Sequence, residues 1–204
     1  MRVIFRARNV VGASRSPFSG TVQTFLWPGE WWEAEVTLPP LKRADAEVWI
    51  TFLLSLRGQA GSFLLWDPSA KSPLTDGTWP PGGAGFIAQG TSVAGNTTIE
   101  TSFFGASGAV NIEPGSYFQV GPIAGDNWPR LHKILTVPET ADSFGNALMD
   151  IFPALRFTPP AGTSLITTNP QGTFMLAENQ TQWDVDAAMT YGISFKAVED
   201  LRNL

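Results

Sequence analysis

The sequence predicts a mainly β protein with one α-helix: a strand-rich domain formed by both ends of the chain and interrupted by an inserted small β-barrel. Three observations lead there. Short apolar runs of strand length, several with strict two-residue alternation, recur from end to end. Twenty glycines and sixteen prolines cut these runs apart. One stretch, 42–57, carries helical periodicity. The expected division is 1–68 plus 167–204 for the outer domain, with its helix over 41–57, and 69–166 for the inserted barrel.

In chain order, Val3, Phe5 and Ala7 form a first strand whose other face carries Arg2, Arg6 and Arg8. Val22 to Trp27, the turn signal Pro28-Gly29, and then Trp32, Ala34, Val36 and Leu38 alternating with Glu33, Glu35 and Thr37 read as a β-hairpin. Pro39-Pro40 ends that strand, and because residues before a proline avoid the helical region the helix is expected to begin at about Leu41. Gly58 closes it, Gly61 permits a turn, and Ser62 to Trp66 reads as a short buried strand stopping at Asp67-Pro68. The following text, DPSAKSPLTDGTWPPGGAG, reads as a loop. Barrel strands are expected at Phe86 to Ala88, Thr97 to Thr101, Tyr117 to Val120, Leu131 to Val137 and Ala147 to Phe152. After FTPPAG at 157–162, strands of the first type return at Gly172 to Leu176, Thr181 to Val185 and Tyr191 to Val198.

The helix is unusual in the width of its apolar face. Arg43, Glu47, Thr51 and Ser55 make one narrow polar stripe. Val48, Trp49, Phe52, Leu53 and Leu56 form an apolar face that Ala46, Ile50 and Leu54 extend past half the circumference, against roughly 100° for an ordinary surface helix. One sheet covers one side only, so either a second layer of the same chain or a neighbouring subunit must cover the rest. Thr51, Ser55 and Arg57 keep the apolar run below the roughly 18 residues of a membrane span.

Composition narrows the function. The net charge of −5 argues against nucleic acid or an acidic membrane as main partner. Without cysteine there is neither a disulfide framework nor a thiolate zinc site. The N-terminal text lacks an apolar stretch of signal-peptide length, so export by that route is not expected. Only 15% of residues are charged, against a usual value of about 25%, and Lys71 is the one basic residue between Gly58 and Pro129. Such a surface suits packing against other proteins.

Catalytic chemistry has little to stand on. The single histidine, His132, lies in the strand RLHKIL and reads as a partly exposed strand residue, and there is no Gly-x-Ser-x-Gly elbow. Asp142, Asp150, Asp184 and Asp186 are spaced neither as a calcium loop nor as a recognisable glycosidase pair. Gly82-Gly83-Ala84-Gly85 lacks the Lys-Ser/Thr and helix of a phosphate loop. No catalytic residue, metal ligand or cofactor is assigned. The stronger alternative is carbohydrate binding, with Trp27, Trp31, Trp79 and Trp128 beside prolines or turns where rings can be exposed, while Trp32, Trp49, Trp66 and Trp183 read as core.

The helix followed by LRGQAGSFLLWDP, then GSYFQVG, RLHKIL, GNALMDIFPALR, GTFMLAENQTQWDVD and YGISFKAVED follow one another along nearly the whole chain. That order of segments resembles the one in the distal tail proteins of long-tailed, siphovirus-type bacteriophages. It implies a tail-tube-like β-sandwich with one flanking helix, assembled with itself as a ring, six copies favoured over three, at the distal end of the tail tube. That ring would contact the tail tube protein and the tail hub protein and connect them to the receptor-binding apparatus. It would be a structural virion protein assembled in the bacterial host cytoplasm, with no enzymatic activity, no membrane contact, and DNA only in transit through the lumen. On this reading Ala46, Trp49, Ile50, Leu53 and Leu54 are the candidate oligomer interface, and Ile50→Asp or Leu54→Asp is expected to abolish assembly while leaving a folded monomer.

Overall fold

The computed structural model describes residues 1–75, 87–88, 90, 92–102, 108–123 and 125–202. Among the described residues it is mainly β, with 46% strand, 9% helix and one α-helix. Trp79, the glycine run at 82–85 and the proposed strand start at Phe86 lie outside the described residues.

Strands β1 (Arg2–Arg15) and β2 (Val22–Thr37) make one long antiparallel hairpin. Its turn is stabilised by Ser16, whose Oγ accepts hydrogen bonds from the amides of Phe18 and Ser19. The hairpin expected around Pro28-Gly29 is therefore not formed, because β2 runs straight through those residues. Asn9 faces Glu30 and Val11 faces Leu26, which leaves residues 27–29 bulged opposite Val10 alone. Proline has no N–H to give a ladder, so it is accommodated where the ladder is interrupted. Gly29 is required there by space, since a Cβ would sit 2.7 Å from Val10 Cγ2.

Helix α1 (Arg43–Ser55) follows the two prolines, with Asp45 in its first turn where the helix dipole favours an acid. It ends on Arg57 and Gly58, both with positive φ (52° and 67°), and the Gly61 amide returns to the Leu56 carbonyl at 2.7 Å. β3 (Ser62–Leu65) comes next. The chain then leaves this sheet for β4 (Ile87–Ala88), β5 (Thr98–Ser102), β6 (Tyr117–Val120), β7 (Arg130–Thr136) and β8 (Asn146–Phe152). It returns as β9 (Gly172–Leu176), β10 (Trp183–Val185) and β11 (Tyr191–Glu199).

The first sheet has the order β1-β2-β11-β9-β3, with β10 also paired to β11, and it curls into a half-barrel. Alternation decides what faces inward: Trp32, Ala34 and Val36 of β2, Ile193 and Ala197 of β11, and Phe174 and Leu176 of β9. Ala46, Ile50 and Leu53 of α1, and Leu56 just after it, pack into the same core. The second sheet has the order β4-β5-β8-β7-β6. Residues 162–166 bridge its two edges, exchanging hydrogen bonds with Ala88 at one end and Gln119 at the other. Its own core contains Ile99, Phe118, Ile134, Met149 and Ile151.

Buried contacts tie the two sheets together. Trp32 Nε1–H donates to the Leu131 carbonyl at 2.9 Å, and its ring meets Phe152 edge-on at 4.9 Å. Gly172 packs so closely on β7 that a Cβ would lie 2.8 Å from Leu131 Cβ. The Arg156 guanidinium grips the Glu199 carboxylate with two nitrogens and also donates to the Glu30 carbonyl. Glu199 accepts from the Trp32 amide, and Glu30 accepts from the Ala154 amide at 2.9 Å. Nearby, Arg130 pairs with Asp126 through two hydrogen bonds and donates to the Asp200 carbonyl. Every charge in this set is thus met by an opposite charge or a backbone dipole.

Candidate assembly surfaces

The first surface is the outer half of the β1–β2 hairpin, from the bulge to the turn. Beyond Asn9 and Glu30 the ribbon leaves the core and exposes both faces. Phe18 at the turn is 98% exposed, Trp27 is 60% exposed, and Val10, Val11, Val22 and Phe25 are exposed as well. A two-stranded ribbon has too little internal burial to be stable by itself in water. These side chains leave much of their apolar surface uncovered by their own chain.

The second surface is an apolar groove of about 360 Å³ between α1 and the β3 edge of the first sheet. Val48, Trp49, Phe52, Phe63, Leu64 and Met1 line it. Its floor is a run of aromatic contacts in which Phe52 meets Phe63 edge-on at 5.7 Å and Phe63 meets Phe195 at 6.1 Å. Its rim is open: Val48 is 69% exposed, and Leu64 and Trp66 are also exposed. Among the described residues β3 pairs with β9 alone, which leaves its other edge beside the groove.

The five residues read from sequence as an oligomer interface divide accordingly. Ala46, Ile50 and Leu53 are buried in the chain's own core and cannot be a contact face of the folded subunit. The curled sheet, not a neighbour, covers that side of the helix. Trp49 is half-buried at the groove wall, and Leu54 is exposed. Sequence reasoning missed Val48, Phe52 and Phe63 as a groove, because its third wall comes from β3, read as fully buried. β3 is instead an edge strand. It also missed the arm, because Pro28-Gly29 was read as a turn.

The tryptophans do not gather into one platform. Trp31 Nε1–H donates to Glu33 Oε1 at 3.3 Å, and the Trp128 ring lies 6.0 Å from the Arg130 guanidinium carbon. Trp27 stands exposed on the arm, and Trp79 is outside the described residues. Trp66 and Trp183, read as core, are both exposed, since each lies at or beside a sheet margin.

The outward face of the first sheet carries three ion pairs. Arg6 meets Glu35 at 2.6 Å, Arg8 meets Glu33 at 2.9 Å, and Lys196 lies 3.7 Å from Glu178. The hydrogen bond from Arg6 holds the Glu35 carboxyl below its usual range. Arg6 and Arg8 therefore pair with acids of their own hairpin and not across an interface.

No catalytic arrangement assembles around the histidine. His132 is buried, not partly exposed, because β7 is sandwiched between the two cores. Its Nδ1 lies 2.8 Å from the Pro153 carbonyl, its ring stacks on Phe118, and Nε2 meets no partner. Burial lowers its pKa to about 3, with the nearby Arg156 and Arg130 charges acting in the same direction. Asp142 and Asp186 each serve a turn: Asp142 accepts from the amides of Phe144 and Asn146, and Asp186 from the amide and hydroxyl of Thr190. Among the described residues no group of three or more His, Asp or Glu could hold a metal ion, and no helix is long and apolar enough to cross a membrane. No known protein family matches the chain, and comparison with characterised proteins finds no significant match.

Proposed function

We propose that this protein is a structural component of a bacteriophage virion. It assembles as a ring at the distal end of the tail tube and joins the tube to the hub and receptor-binding apparatus. The observation that carries the proposal is the distribution of apolar side chains left unburied: among the described residues half of the large exposed ones lie on a projecting arm or around one apolar groove. Exposed apolar surface on this scale is characteristic of a protein that completes its packing in an assembly. The segment order noted in the sequence points to the same class. With Arg6, Arg8 and Lys196 paired to acids, the outward sheet face would suit a lumen through which DNA passes without being held.

Negative-stain imaging of the purified chain, alone and mixed with tail tube and hub proteins encoded beside it, tests the proposal. Closed rings with a central channel are expected. Globular monomers under all of these conditions would count against it.

A further inference from the structure

We propose that the groove beside α1 is filled by the hairpin arm of a second copy of this chain, with Phe25 and Trp27 seated between Val48 and Leu64. This deepens the ring proposal by naming the two halves of its contact. Three observations choose this occupant.

The first is position. The groove lies at the Met1 and Val36 end of the β1–β2 hairpin, and the arm is the opposite end of the same hairpin. Gly12, which faces Phe25, stands eleven residues along β1 from Met1. At about 3.3 Å per residue that is roughly 35 Å, so an extended arm cannot fold back into its own groove. The second is chemistry. Exposed apolar side chains of the arm match an apolar groove, and β3 beside it, which among the described residues pairs only with β9, offers a strand edge to an incoming ribbon. The third is charge. The arm itself, residues 10–29, carries one arginine, Arg15, and no acid, whereas the remainder of the chain has twelve basic against eighteen acidic residues. Arg6 and Arg8 are neutralised by Glu35 and Glu33, whereas Arg15, at the arm end, has no ion pair among the described residues. A basic arm is drawn to an acidic body, and the contact is head-to-tail, so it repeats until rotation closes it.

The chain has no cysteine, which makes disulfide trapping clean. The test mixes full-length Phe25→Cys protein with full-length Val48→Cys protein carrying a size tag, oxidises the mixture mildly, and reads the products on a non-reducing gel. Both residues are exposed, so both variants are expected to fold, and circular dichroism checks that they do. The mixed pair is expected to cross-link at least tenfold more than either variant alone. The double variant Phe25→Cys/Val48→Cys is expected to give a ladder of chains. A cross-linked monomer from the double variant would overturn the proposal by showing that the arm reaches its own groove. Oligomers by light scattering without mixed cross-links would overturn the arm and groove contact while leaving the ring standing. Monomers throughout would overturn both.

Discussion

His132 sets the acid limb of this protein's stability. In the folded chain the imidazole is neutral: the Pro153 carbonyl can only accept, so Nδ1 carries the proton. Burial lowers its pKa from 6.5 to about 3, and the unfolded chain therefore binds a proton that the folded chain excludes. Stability is full above pH 6.5 and falls as the pH drops towards 3, with about 2 kcal/mol lost by pH 5. Asp142 and Asp186, whose carboxyls are held below the usual range by turn hydrogen bonds, contribute only at lower pH. Urea unfolding at pH 7 and pH 5 measures the effect. His132→Leu is expected to flatten it while lowering stability at pH 7, because the Pro153 carbonyl loses its donor. A second residue-scale expectation concerns Arg156. Arg156→Ala strands Glu199, which is 3% exposed, and is expected to cost about 3–5 kcal/mol. The double variant Arg156→Met/Glu199→Leu is expected to recover part of that loss in the same unfolding assay, since no charge is then left buried alone.

At the scale of elements, α1 divides its apolar residues between two jobs. Ile50 belongs to the core, so Ile50→Ala is expected to cost about 2–5 kcal/mol in thermal or urea unfolding, and Ile50→Asp to leave no folded subunit at all. Val48 faces the groove, and Val48→Asp is expected to leave the melting temperature within a few degrees of the parent while weakening self-association in sedimentation. The width of the helix's apolar face was legible in the sequence because periodicity reports how much of a helix avoids water. It does not report who covers it, and here the curled first sheet covers Ala46, Ile50 and Leu53 while the groove side stays open. The same limit explains the hairpin. Alternation located the inward residues Trp32, Ala34 and Val36, but Pro28-Gly29 signals an interruption in a ladder as readily as a turn, and only the partner strand decides which. His132 was misplaced for a related reason: whether both faces of a strand are covered depends on the layer packed behind it.

At the scale of the whole molecule, most strand positions and the return of the chain to its first sheet could be read from apolar runs and their punctuation. The fusion of the two sheets could not. It depends on Arg156 with Glu199, Arg130 with the Asp200 carbonyl, and the Trp32 indole with the Leu131 carbonyl, pairs separated by between 43 and 99 residues that no local pattern links. The candidate surfaces were legible in part: an excess of apolar area was evident, its location on an arm and a groove was not. On the proposed assembly one subunit is an incomplete object, with an exposed apolar arm carrying Arg15 at one end and an open apolar groove at the other. The mass of the purified chain by light scattering, measured across a wide concentration range, tests this most directly. A plateau at a fixed integer multiple of 22.1 kDa is expected, together with its collapse towards the monomer when Phe25 and Trp27 are both replaced by Ser. A mass of one subunit at every concentration, unchanged by those substitutions, would contradict it.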